Sequence, residues 1–169
     1  HTVHVWTDRP VWPQGIPAPS GGVPRPAHIS AADWDLFIGP AVPVDYHPLY
    51  HPFKWRGWWN FGTGALGDMG CHILDPACWA LDLVNPTSVT AQVKHLKPEL
   101  RGEAYPIATT VTYEFPQRGK LCPMKLVWYD GVFSPPRPEM LEDGRTLPAS
   151  GAVIYGEKET ILHGSHGAD

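Results

Sequence analysis

Prolines and glycines make up half of the residues from Arg9 to Pro26. Proline removes a backbone donor and fixes φ, while glycine loses the most backbone entropy on ordering, so neither a helix nor a central strand can cross this stretch. A long extended loop therefore lies near the start, and regular structure has to be sought on either side of it. The 169 residues hold 20 prolines and 17 glycines, yet no period of three, and 43 % are hydrophobic with eight tryptophans. Collagen-like and disordered classes are excluded, and the length suits one domain with one core.

Before the loop, His1 to Trp6 reads as a strand already under way, without the basic and apolar regions of a signal peptide, so the chain reads as cut at its start. After it, Ser30-Ala31-Ala32-Asp33 forms a capping-box signature ahead of Trp34, Leu36, Phe37 and Ile38, and Gly39-Pro40 ends the short helix. An aromatic loop from Tyr46 to Phe61 follows, too rich in rings to be an unpacked linker.

Gly62 to Asp82 is the one long helical candidate. Leu66, Met69, Ile73, Leu74, Ala77 and Leu81 keep a three-to-four spacing on one face, and Asp68, His72, Asp75 and Trp79 share another. Gly64, Gly67 and Gly70 point to close backbone approach of a strand, loop or ligand, and Pro76 predicts a kink or break beside His72. The period then changes to two in Thr87–His95, Ala108–Phe115 and Met124–Tyr129, and Gly151–Leu162 reads as a hairpin turning at Gly156-Glu157-Lys158. Helix followed by strands implies an α+β fold: an open, mainly antiparallel sheet with one main helix and long proline- and aromatic-rich loops.

Thirteen Lys and Arg against 17 Asp and Glu leave a formal charge of −4, with no basic stripe to neutralise phosphates. Nucleic acid is not an expected partner. No apolar run approaches the roughly 20 residues of a membrane span. Three cysteines cannot all pair, and Cys71 and Cys78 on one helix would stand about 10 Å apart along its axis, beyond disulfide reach. The odd count suits a reducing compartment, and localisation stays open.

For chemistry, Asp68 and His72 are four apart on one helix face, where a carboxylate can fix the tautomer of an imidazole that exchanges protons near neutral pH. A solvated helix contact is the plain alternative. Asp68, His72 and Asp75, with Cys71, also contain metal-ligand types, and His47 and His51 have two-histidine spacing, but Pro48 and Pro52 deny that pair a helix, and no metal is expected. Arg56, Trp58 and Trp59 combine flat apolar faces with a cation, which suits sugar rings and their hydroxyls; aromatic core is the competing reading. Trp6, Trp79 and Trp128 read as core, and His163 and His166 as exposed tail residues. No Gly-x-Gly-x-x-Gly joins a strand to a helix, so a nucleotide has to be held elsewhere.

The run Gly62-Thr63-Gly64-Ala65-Leu66-Gly67-Asp68-Met69-Gly70-Cys71-His72-Ile73-Leu74-Asp75 resembles the motif of the Gfo/Idh/MocA family of NAD(P)-dependent sugar and polyol oxidoreductases. Val5–Pro13, Trp34–Pro40, Tyr50–Phe53 and Trp55–Trp59 are similar to a bacterial subgroup of that family, and the likeness resumes at Val153–Lys158. The resemblance implies that residues 1–169 are the substrate-binding and oligomerisation domain, cut at both ends, with the NAD or NADP domain and its Glu-Lys-Pro lysine outside the chain. It further implies that His72 faces the reacting carbon and hydroxyl with Asp68 as its acidic partner, and that copies associate through the sheet, while Arg56, Trp58, Trp59 and Asp75 are the residues expected to bind the sugar or polyol. The fragment alone is expected to be inactive, in a bacterial cytoplasm or periplasm. A non-catalytic assembly or carbohydrate-binding module, and NAD-assisted glycoside cleavage, are the alternatives.

Overall fold

The computed structural model describes residues 1–94, 98–100 and 102–167. Strands β1 (Thr2–Thr7), β2 (Ser88–Lys94), β3 (Ala108–Phe115), β4 (Met124–Tyr129), β5 (Ser150–Tyr155) and β6 (Thr160–Gly164) form one sheet in the order β2-β3-β4-β1-β5-β6. His95, assigned to β2 by its period, lies outside the described residues. The α+β class and the open, mainly antiparallel sheet are as the sequence implies, and the one parallel pair is β1 with β4, Val3 opposite Leu126 and Val5 opposite Trp128. The first strand thus sits in the middle of the sheet. A strand pattern reports burial and not its partner, so a strand buried on both faces fits the centre as well as an edge.

Helix α2 (Gly64–Ala80) lies across β1 and β5. Its Ile73 and Ala77 are fully buried against Val3, Val5, Val111, Leu126, Trp128 and Ala152, with Leu66, Met69, Leu74 and Leu81 packed around them. The apolar periodicity therefore identifies the buried face. The helix continues through Pro76 without a break. One expectation on this helix fails: Trp79 is 85 % exposed, because it belongs to the face that turns from the sheet. The close approach expected at the glycines of α2 is made by side chains: Gly64, at φ +63°, leaves room for the ring of Tyr105, and Gly67 for the side chain of Thr63.

A second core forms from the aromatic loops. Helix α1 (Ala31–Ile38) starts on the expected capping box, Ser30 Oγ accepting from Asp33 N–H at 3.1 Å and Asp33 Oδ2 from Ser30 N–H at 2.8 Å. Its Trp34 and Ile38 pack with Tyr50, Trp58 and Ala104, and Phe37, Tyr46 and Phe61 close round them. The proline-rich loop is pressed into this layer so closely that a side chain at Gly57 would collide with the carbonyl of Pro13.

Asp130, 1 % exposed, ties β4 to β3. Its carboxylate accepts from Trp128 Nε1 at 2.8 Å, Thr109 Oγ1 at 2.6 Å and the Thr109 amide at 2.5 Å. Burial pushes this carboxyl above its ordinary value of 3.8, and the three donors pull it back down. Asp130→Asn keeps the shape but turns an NH2 group towards donors, so we expect a loss of about 1–3 kcal/mol in urea unfolding. The sign with pH follows from the raised value. Wild-type stability from Asp130 is fully present below 3.8 and falls as pH rises through the folded-state value, so its advantage over Asp130→Asn shrinks from acid to neutral pH.

Candidate active site

Three strand ends meet at one edge of the sheet. Because β5 is antiparallel to β1, with Thr7 opposite Ser150, and β6 is antiparallel to β5, with Gly151 opposite Gly164, the end of β1, the start of β5 and the end of β6 lie together. Under α2 they line a cleft of about 640 Å³, within the size range of small-molecule sites. Its polar side chains are Asp8, Arg9, His72, Ser150, Ser165 and His166.

The wall opposite α2 is held by hydrogen bonds that originate in β1. Ser150 Oγ is 2.9 Å from Thr7 Oγ1, and its hydroxyl donates to Asp8 Oδ1 at 3.4 Å. Arg9 Nη1 donates to Asp8 Oδ1 at 3.2 Å. This pair offers a carboxylate and a guanidinium side by side, the combination that accepts from one hydroxyl and donates to the next.

Of the six residues assigned to a site from the sequence, His72 alone lines this cleft. It is exposed, and among the described residues its ring makes no hydrogen bond, so both ring nitrogens are open to a ligand. The expected contact of Asp68 with His72 is not made. Asp68 Oδ1 instead accepts from Arg56 Nε at 2.9 Å, with both side chains about three-quarters buried. Arg56 also donates to the Phe53 carbonyl at 3.0 Å, and its guanidinium lies 4.5 Å from the Phe53 ring centroid and 4.4 Å from that of Trp55. Arg56 and Asp68 together pin the short 3-10 turn Lys54–Gly57 to the first turns of α2.

The two tryptophans part company. Trp58 is 2 % exposed, its indole N–H donates to the Leu49 carbonyl at 2.7 Å, and Tyr50 packs edge-on at 5.3 Å. That ring is occupied by the second core. Trp59 is 59 % exposed, with its back stacked on Tyr105 at 5.0 Å and 28°. With the edge of Trp58 it lines a different groove, of about 360 Å³, that shares no residue with the His72 cleft. Asp75 is exposed on α2 and outside both.

His163 and His166 depart from the tail reading. His163 is 7 % exposed in β6 beside Ala152, and His166, though exposed, lies with its ring centroid 5.0 Å from that of His72. Asp8, Arg9, Ser150 and Ser165 carry no sequence signal of a site, and His166 reads there only as tail, since about 140 residues separate the two ends that supply them and only strand pairing joins them. Among the described residues no three His, Cys, Asp or Glu side chains converge to hold a metal ion, all three cysteines are free, and no helix is long and apolar enough to cross a membrane.

No curated protein matches the chain significantly. Residues 22–120, more than half of the 169, match the family model described as the oxidoreductase family, C-terminal alpha/beta domain, of the Gfo/Idh/MocA group. The match spans α1, the aromatic loop from Tyr46 to Phe61, all of α2, and β2 and β3. With that match and the α+β sheet, the chain belongs to the Gfo/Idh/MocA oxidoreductase family and carries its C-terminal alpha/beta domain.

Proposed function

We propose that this domain binds a sugar or cyclitol in the cleft at the end of β1, with the reacting hydroxyl against His72. The observation that carries the reading is the position of His72: the one histidine of the family-like motif lies in a cleft of about 640 Å³ whose opposite wall presents Asp8, Arg9 and Ser150. His72 takes the proton of the hydroxyl under oxidation and returns it in the reverse direction. Asp8 and Arg9 hold the neighbouring hydroxyls.

The family is NAD(P)-dependent. The described residues do not fit a dinucleotide. The one parallel pair, β1 and β4, is connected by a proline-rich loop, two helices and two antiparallel strands, not by a glycine-rich turn opening a helix. We therefore assign this chain the substrate side of the reaction and place cofactor binding outside the described residues. Arg56 and Asp68 support His72 indirectly by fixing the start of α2, with Asp75 on its solvent face.

Trp59 favours a second, non-catalytic reading, because an exposed indole backed by Tyr105 is a stacking platform for a sugar ring. Copies would associate through the sheet; edge strand β2 is exposed along its whole length. The test is a panel of sugars and cyclitols with NAD+ and NADP+ on the full-length protein, read as reduced nicotinamide, with His72→Ala beside the wild type. No hydride transfer from any member overturns the oxidoreductase reading, and equal rates in the variant overturn the role of His72.

A further inference from the structure

We infer that His166, rather than Asp68, is the positioning residue that holds His72 in the cleft. Asp68, the neighbour one turn away on α2, has its carboxylate engaged by Arg56 at 2.9 Å. An exposed imidazole on a helix, with no hydrogen bond of its own, samples several rotamers, and catalysis needs one. The ring placed to restrict it is His166, 5.0 Å away between centroids and tilted by 56°.

His166 is itself held. Its Nδ1 lies 2.9 Å from Ser165 Oγ. The turn that carries it is closed by the Gly167 amide donating to the Gly164 carbonyl at 3.3 Å. Gly167 sits at φ +73° against Pro76, one turn beyond His72 on α2, where an added Cβ would stand 3.4 Å from the proline ring. The end of β6 is thus docked on the same helix that carries His72. The two rings make no hydrogen bond to each other, so the contact is one of packing, and the polar edge of His72 stays available to the substrate.

The pairing's kinetic consequence rests on the oxidoreductase reading above, and its structural consequence does not. In the chain labelled with 15N-histidine, the ring nitrogen and proton signals of His72 are expected to move in His166→Ala and to return towards wild type in His166→Phe, which keeps a ring in place. The backbone amide spectrum away from residues 164–167 should be unchanged in both. In the full-length protein with a turned-over polyol, His166→Ala is expected to lower kcat about 10- to 100-fold with KM within about threefold, and His166→Phe to restore most of the loss. His72 signals that superpose in wild type and His166→Ala overturn the pairing. Signals that move in His166→Phe as far as in His166→Ala also overturn it, since His166 would then act through its nitrogens. If the signals behave as expected while His72→Ala leaves turnover intact, the pairing stands and the acid–base role proposed for His72 falls.

Discussion

His72→Ala in the full-length protein is expected to lower kcat for its sugar or cyclitol substrate by about 10²–10⁴-fold, the range lost when a positioned acid–base group is removed. KM should change far less, because Asp8, Arg9 and Ser150 on the facing wall remain to hold the ligand. The exposure of His72 makes this a clean comparison: it packs in neither core, and its removal should shift stability by no more than about 0.5 kcal/mol. Initial rates of nicotinamide reduction together with a thermal melt check both halves. A kcat within about threefold of wild type at unchanged melting temperature would remove His72 from the mechanism and leave the cleft as a binding site only.

Trp58→Ala is expected to destabilise the protein by about 3–5 kcal/mol, whereas Trp59→Ala should cost under about 1 kcal/mol. Identical neighbours in sequence, the two differ in what surrounds them. Trp58 is 2 % exposed, packs on Tyr50 and donates to the Leu49 carbonyl, so truncation leaves a large void and takes a donor from a part-buried carbonyl. Trp59, 59 % exposed, rests one face on Tyr105 and turns the other to solvent. For a chain of this size the Trp58 loss corresponds to a fall in melting temperature of about 10 °C. Sugar binding should respond in the opposite sense: Trp59→Ala weakens it at constant stability if the exposed ring stacks on a ligand. Equal melting temperatures for the two variants would contradict the second core described above.

Local order was legible in this sequence because its causes are local. The Ser30 and Asp33 capping box, the buried face of α2 through Ile73 and Ala77, the turn at Gly156 and the proline-rich loop each follow from residues within one or two turns of each other. Where signals were local but the outcome tertiary, the reading divided. Pro76 predicts a kink or break beside His72, and of the two the break is absent: α2, packed across β1 and β5, is continuous. Trp79 was expected in the core because it is a tryptophan, but its face of α2 points away from the sheet.

The candidate site divides in the same way. The amino-acid pattern alone identified His72 as a residue on the polar face of one glycine-rich helix, and it supplied the α+β class from a helix followed by period-two strands. Its neighbours were decided by topology: β1 enters the centre of the sheet, parallel to β4 and antiparallel to β5, and so brings Asp8 and Arg9 to Ser150, Ser165 and His166. Asp68 was taken from His72 for a related reason, since the guanidinium of Arg56 reaches it at 2.9 Å from a separate turn. Helical and strand periods report which face of an element is buried. Which elements then share that burial depends on chain ends about 140 residues apart, where no short-range propensity operates.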